Sequence, residues 1–252
     1  MSGKRLINIA HRGASSYAPE NTLSSFDLAL DMGIKDIELD VHFTKDHSIV
    51  VIHDDTVDRT TNGVGYVSNM TLFQIQKLDA GSWFGRDFSD QGISTLTEIF
   101  DRYLGQLNFH IEIKARGAAD LASRTCDMVR DYKAENNVVI TSFWKQWVEE
   151  ATLYAPEIKT GWLVPMGPGS MWEDRFIDEA VEAGFDQLCP RAELITPTLV
   201  DKIHNRGLKV RCHGVFDENL MKIAVNCGVD GMTINFPDKL QNYLSENDYL
   251  ID

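Results

Sequence analysis

A (β/α)8 barrel with a small insertion after the second strand is the fold class this sequence predicts, on three observations. Short apolar runs of strand length alternate with helical patterns about eight times along 252 residues, the size and rhythm of such a barrel. The first strand ends in a single glycine, Gly13, where a doubly wound sheet would more often carry a GxGxxG turn. From Asp54 to about Gly92 the alternation stops. Asp58-Arg59-Thr60-Thr61-Asn62-Gly63 and the aromatics Trp83, Phe84 and Phe88 there mark an inserted lobe. No internal repeat or low-complexity linker is visible, so one domain is expected over residues 1–252, with the lobe at about 54–92.

The elements follow in order. Leu6 to Ala10 is an apolar strand that ends in His11-Arg12-Gly13. Pro19-Glu20-Asn21-Thr22 turns the chain and caps a helix carrying Leu23, Phe26, Ala29 and Leu30, which stops at Gly33. Asp36 to Thr44 is the second strand, and Ile49 to His53 returns beside it. Alternation places Glu38, Asp40 and His42 on one face and Ile37, Leu39 and Val41 on the other. A four-residue turn at Lys45-Asp46-His47-Ser48 pairs Thr44 with Ile49 and sets Asp40 opposite His53. Thr95-Leu96-Thr97-Glu98 is a capping box opening a helix through about Tyr103. Strands follow at Asn108 to Ala115, Val138 to Phe143, Thr160 to Val164, Gln187 to Cys189, Lys209 to His213 and Gly231 to Asn235. Helices lie between them, one opened by Thr196-Pro197. The last long helix is read from Leu220, Ile223, Ala224 and Cys227, stopping at Gly228.

Composition narrows the function. Acidic side chains outnumber basic ones 38 to 24, a net charge of -14, which disfavours non-specific nucleic-acid binding and attraction to anionic membranes. An anionic substrate stays compatible, because a metal and a few basic residues invert the field in one cleft. Cys126, Cys189, Cys212 and Cys227 form no CxxC and are read as reduced core thiols. With no long apolar leader and no membrane-length run, cytoplasmic placement without stable membrane insertion is the expectation.

Barrel chemistry collects where strands end at the top face. The polar residues there are His11 and Arg12, Glu38 and Asp40, His53, and then Glu112 and Lys114, all from the first half of the chain. Carboxylates side by side on a buried strand are costly unless positive charge sits between them. Glu38, Asp40 and Glu112 form a hard oxygen set without cysteine, which points to Mg²⁺ or Ca²⁺. Arg12 and Lys114 add the positive charge that a phosphoryl oxygen requires. Two histidines on different strands, His11 and His53, can serve as base and acid. Together these parts describe metal-assisted phosphoryl chemistry.

Each of these residues also has a plainer role. Glu38 and Asp40 could be salt-bridged core carboxylates, and Glu112 could simply pair with Lys114. His42, His110, His204 and His213 read as packed, hydrogen-bonded imidazoles, with His42 also placed to support the carboxylates from behind. Asp54, Asp55 and Asp58 read as loop-shaping acids rather than ligands.

Read in order, the motifs are His11-Arg12-Gly13, Pro19-Glu20-Asn21-Thr22, Glu38-Leu39-Asp40-Val41 and His53-Asp54-Asp55-Thr56-Val57-Asp58-Arg59-Thr60-Thr61-Asn62-Gly63. Leu78-Asp79-Ala80-Gly81-Ser82-Trp83-Phe84, Ile111-Glu112-Ile113-Lys114 and Gly228-Val229-Asp230-Gly231, running to Asn235-Phe236-Pro237-Asp238, complete the set. In this ordered set the sequence resembles the glycerophosphodiester phosphodiesterase family. The resemblance is dense to about residue 114 and sparse afterwards.

The resemblance implies a TIM barrel with its insertion after the second strand. It implies Mg²⁺ or Ca²⁺ held by Glu38, Asp40 and Glu112, His11 and His53 as the acid–base pair, and Arg12 and Lys114 on phosphate. The implied reaction is hydrolysis of a glycerophosphodiester to an alcohol and sn-glycerol 3-phosphate through a cyclic phosphate. One departure stands out: Val210-Arg211-Cys212-His213-Gly214 replaces a tryptophan-containing stretch on the seventh strand. Arg211 or His213, facing the mouth, would favour a polar or anionic substrate end. A lysophospholipid substrate would call on Trp162, Met166, Met171 and Trp172 as an apolar groove. A metal-dependent lyase or isomerase with Lys114 as base would leave both histidines and Arg12 without a task. A catalytically silent phosphate-binding module would leave the acid–base pair unexplained.

Overall fold

The computed structural model describes residues 5–114, 119–167, 169–247 and 249–250. The chain runs β1 (Ile7–His11), α1 (Leu23–Asp31), β2 (Asp36–Phe43), β3 (Ile49–Val51), α2 (Leu72–Ile75), α3 (Leu96–Tyr103) and β4 (Asn108–Ile113). It continues α4 (Leu121–Asp131), β5 (Val138–Ser142), α5 (Lys145–Tyr154), β6 (Lys159–Leu163), α6 (Arg175–Glu182) and β7 (Gln187–Cys189). It ends α7 (Pro197–His204), β8 (Lys209–Val215), α8 (Glu218–Cys227), β9 (Gly231–Ile234) and α9 (Pro237–Glu246). Eight strands pair in parallel in the order β1, β2, β4, β5, β6, β7, β8, β9, and β1 pairs with both β2 and β9 to close the barrel. β3 lies antiparallel on β2 as a ninth strand.

Parity divides the side chains as the sequence predicts. Ile37, Leu39 and Val41 join Phe109, Ile111 and Ile113 in a buried layer under α1, α3, α4 and α5. A second layer packs the later strands against α6, α7, α8 and α9. The segment between β3 and α3 carries its own small cluster, with Val57, Val67, Ile75 and Ala80 packed on Val50 and Ile52. The predicted N-caps hold: Thr22, Thr95 and Thr196 each accept a backbone N–H of the first turn. All four cysteines are free thiols, three of them buried.

Three expectations change. The hairpin turns in three residues, not four: Phe43 pairs with Ile49, and Thr44 N–H donates to the Ser48 carbonyl at 3.0 Å. His47 takes a left-handed conformation (φ 58°), which reverses the chain one residue sooner. Asp40 is therefore opposite Ile52, whose N–H donates to the Asp40 carbonyl at 3.0 Å, and not opposite His53. In α8 the buried face is Met221, Ala224 and Val225, while Ile223 is 41% exposed. A further helix, α9, follows the one read as last, with Pro237 in its first turn and Leu240 and Leu244 buried one turn apart. The predicted strand end at Ala115 lies outside the described residues.

The β1–α1 turn is the tightest joint near the mouth. Arg12 (φ 55°) and Gly13 (φ 81°) are consecutive left-handed residues. A Cβ on Gly13 would fall 2.6 Å from the Ser25 backbone carbon of α1. Gly13→Ala is expected to cost about 3 kcal/mol, combining left-handed strain with overpacking. An unchanged urea midpoint would show that the turn relaxes freely.

Candidate active site

Parallel register assembles the site. His11 pairs with Glu38 across β1 and β2, and Asp40 with Glu112 across β2 and β4. Glu38 and Asp40, two residues apart, share the inner face. Oxygens of Glu38, Asp40 and Glu112 all lie within 4.8 Å of one another, and all three residues are buried. Arg12 and Lys114 bracket them. Arg12 Nε lies 3.2 Å from Asp40 Oδ2, and its backbone N–H donates to Glu38 Oε2 at 3.1 Å. Lys114 Nζ lies 3.1 Å from Glu112 Oε1 and 3.8 Å from Asp40 Oδ1.

Three carboxylates this close respond unequally. Burial, then the charges of Asp40 and Glu112, drives the Glu38 carboxyl well above the usual range. Burial pushes Glu112 up to about 7 against the pull of Lys114. Burial would raise Asp40 too, but Arg12 and Lys114 overcome it and hold Asp40 well below the usual range. Asp40 Oδ1 is buried and accepts no hydrogen bond among the described residues. An orphaned carboxylate oxygen beside two carboxyls forced toward protonation fits a cation cradle, and its all-oxygen donors suit a hard divalent ion.

The two histidines are anchored alike. His53 Nδ1 donates to Asp54 Oδ1 at 2.6 Å, and its Nε2 accepts from Lys114 Nζ at 2.9 Å. His11 Nδ1 donates to Asn235 Oδ1 at 2.5 Å, which leaves Nε2 3.8 Å from Glu38 Oε2. Burial, helped by Arg12, pushes His11 down to about 4, and burial lowers His53 as well. Both rings are thus pushed toward the neutral form; the Nε2 lone pair of His11 is free, and that of His53 is held by Lys114. Both line a cleft of about 360 Å³ at the barrel mouth, together with Arg12, Glu38 and Glu112.

All seven predicted site residues therefore come together. Others were missed. Asn21, read only as part of a turn, has φ 58° and donates from Nδ2 to Asp40 Oδ2 at 2.9 Å. Glu20 accepts from Arg12 at 2.8 Å and from Arg59 at 2.7 Å, and Arg59 Nε also reaches Asp54 at 2.7 Å. Asp54, read as a loop-shaping acid, thus orients a histidine. Glu20, Asn21, Asp54 and Arg59 all stand inside quoted motifs, which was the available signal. Asn235 stands inside a quoted motif too, but its partner lies 224 positions away and nothing in the motif names it. His42 is a packed, hydrogen-bonded imidazole, with Nε2 3.1 Å from the His53 carbonyl and no hydrogen bond to a site carboxylate among the described residues. Asp58 shapes its loop by accepting from Gly65 N–H at 2.9 Å.

The family model for the glycerophosphoryl diester phosphodiesterase family matches residues 11–239. The chain belongs to this family. It is accordingly an enzyme of the phosphoric diester hydrolase class. It is 37% identical to a glycerophosphodiester phosphodiesterase of Caldanaerobacter subterraneus, covering 94% of this chain and 97% of that one. A glycerophosphodiester phosphodiesterase of Bacillus subtilis is 32% identical over 94% of this chain and 86% of its own. A phosphodiesterase of Oleispira antarctica, solved with the product sn-glycerol-3-phosphate, superposes with a TM-score of 0.87. It is 28% identical, covering 96% of this chain and 97% of that one. The closed parallel barrel is the fold of these family structures.

The four residues considered as an apolar groove do not line one surface. Trp162 is 4% exposed and packs on Phe176 and Phe185, and Trp172 also packs on Phe176. Met171 is 84% exposed, and Met166 lines the cleft. Among the described residues no helix is long and apolar enough to cross a membrane.

Proposed function

We propose that this protein hydrolyses glycerophosphodiesters to an alcohol and sn-glycerol 3-phosphate, with His11 and His53 as its acid–base pair. Glu38, Asp40 and Glu112 hold a divalent cation, Mg²⁺ or Ca²⁺, which when bound neutralises charge on the phosphoryl oxygens. The observation that carries the reading is the paired anchoring of two neutral imidazoles. Each is held through Nδ1, and each lines one cleft beside the buried carboxylates.

Arg12 and Lys114 are the phosphate contacts, and their charge favours the pentacovalent transition state over the diester. One imidazole Nε2 takes the proton of the substrate's own glycerol hydroxyl, whose oxygen then bonds to phosphorus. The other imidazole takes up a proton from solvent at Nε2 before the step; as the bond from phosphorus to the leaving alcohol breaks, it delivers that proton to the alcohol oxygen. Water opens the resulting cyclic phosphate with the two roles exchanged. No enzyme nucleophile is needed. Asp54 and Asn235 keep each ring in the Nδ1–H tautomer, so Nε2 is the reacting nitrogen, and at His53 it is freed when Lys114 turns from it to the phosphate. Arg59, from the segment after β3, ties Glu20 to Asp54. We therefore read the barrel and the lobe at about 54–92 as one catalytic domain.

Release of sn-glycerol 3-phosphate from glycerophosphocholine and glycerophosphoinositol, and of choline from lysophosphatidylcholine, with Mg²⁺, with Ca²⁺ and with EDTA, tests the reading. Turnover of the glycerophosphodiesters that EDTA abolishes is expected. No release with either metal removes the proposal.

A further inference from the structure

β8 carries two polar side chains at the mouth, Arg211 and His213, and both line the cleft. Arg211 is 3% exposed, and its Nη1 donates to His110 Nδ1 at 2.9 Å inside the barrel. His110 Nε2 continues to Asp36 at 3.2 Å. Arg211 is thereby engaged within the barrel.

His213, two residues on, lines the cleft. Its ring meets the Phe143 ring edge-on, with centroids 5.0 Å apart. Burial, helped by the charge of Arg211, pushes its pKa down to about 3, so the ring is neutral and carries a lone pair on one nitrogen. Nε2 is buried and has no partner among the described residues. A buried acceptor without a donor is costly, and a ligand that brings the donor recovers the cost.

The surroundings say which donor. Lys114 Nζ lies 5.9 Å from the Phe143 centroid, so that ring neighbours both a phosphate contact and His213. Arg191, held by Glu193 at 2.9 Å, lies 5.6 Å from the centroid of the exposed Phe216 ring and also lines the cleft. A quaternary ammonium has no proton to give Nε2, whereas a hydroxyl has.

We propose that His213 Nε2 accepts a hydrogen bond from a hydroxyl on the substrate's alcohol. The alcohol lies across Phe143, and the site favours diesters of hydroxyl-rich alcohols, such as inositol or glycerol, over those of choline. This specificity rests on the phosphodiesterase reading above. His213 takes no proton in the reaction; it selects the alcohol.

The test is kcat/KM for glycerophosphoinositol and glycerophosphocholine in wild type, His213→Phe and His213→Gln. Wild type is expected to favour the inositol diester about tenfold. His213→Phe is expected to erase that ratio through a higher KM for the inositol diester, and His213→Gln, whose amide oxygen still accepts, to keep part of it. A wild-type ratio at or below one overturns the proposal without any variant. So does an equal loss on both substrates in His213→Phe, which would place the hydrogen bond on the common glycerol. Failure of wild type to release sn-glycerol 3-phosphate from either diester sinks the activity itself, and is thereby distinct from activity without selectivity.

Discussion

Alanine at His53 is expected to lower kcat on a glycerophosphodiester by about a hundred- to ten-thousand-fold, and alanine at His11 by a similar factor. The reaction has two proton transfers on opposite sides of phosphorus, and each ring is positioned for only one of them at a time. His53 is fixed by Asp54 at 2.6 Å and Lys114 at 2.9 Å, and His11 by Asn235 at 2.5 Å. KM should change little, because Arg12 and Lys114 still meet the phosphate. The double variant should fall only slightly below the worse single one, since an acid without its base gains little. Rates of sn-glycerol 3-phosphate release at saturating substrate check this. Unchanged kcat in either single variant removes that histidine from the reaction.

Stripping the divalent cation should reduce thermal stability as well as activity, and by more at pH 8 than at pH 5.5. Glu112 sits at about 7 in the folded chain against an ordinary 4.5, and Glu38 is raised further by burial and its acidic neighbours. A raised carboxyl contributes stability that is complete below about pH 4.5 and is lost as pH climbs through the folded value. For Glu112 the loss approaches about 3 kcal/mol. A cation binding the carboxylates restores it, and does so only where they are deprotonated. The buried histidines act in the opposite direction, losing stability as pH falls below 6.5. That contribution is common to loaded and stripped protein, so it largely cancels in the difference. Melting with Mg²⁺ or Ca²⁺ against EDTA at the two pH values measures the gap. Asp40→Asn should shrink it. The absence of any gap at pH 8 would remove the cation from the carboxylates, and an equal gap at both pH values would remove Glu38 and Glu112 as its pH-sensitive ligands.

How legible the site was depended on the distance over which its signals act. Glu38 and Asp40 could be placed on one inner face because strand parity is a two-residue rule. Thr22, Thr95 and Thr196 could be placed as caps because capping is settled within three residues. The hairpin was misread by one residue because nothing in Lys45-Asp46-His47-Ser48 announces that His47 turns left-handed. His53 still reaches the site, through the bend after β3 rather than through pairing with Asp40. In α8, Leu220, Ile223, Ala224 and Cys227 fit a helical stripe as well as Met221, Ala224 and Val225 do. Packing on the barrel chose the second. α9 escaped because its apolar positions are sparse, and only docking on β1, where Asn8 Nδ2 donates to the Pro237 carbonyl at 2.8 Å, fixes it.

The sequence by itself determined the strand–helix alternation, the acidic and basic groups of the mouth, the two histidines proposed as the acid–base pair, and the family. All of these are written in local period, cap chemistry and ordered motifs. Only the tertiary structure decided which partner holds each group. Closing β1 onto β9 brings Asn235 to His11 across 224 positions. Holding Arg211 Nη1 on His110 directs that donor away from His213, whose Nε2 has no partner among the described residues. The physical reason is that a hydrogen bond is settled by geometry within about 3 Å. Sequence fixes which groups the chain carries, but barrel closure decides which of them come within that distance.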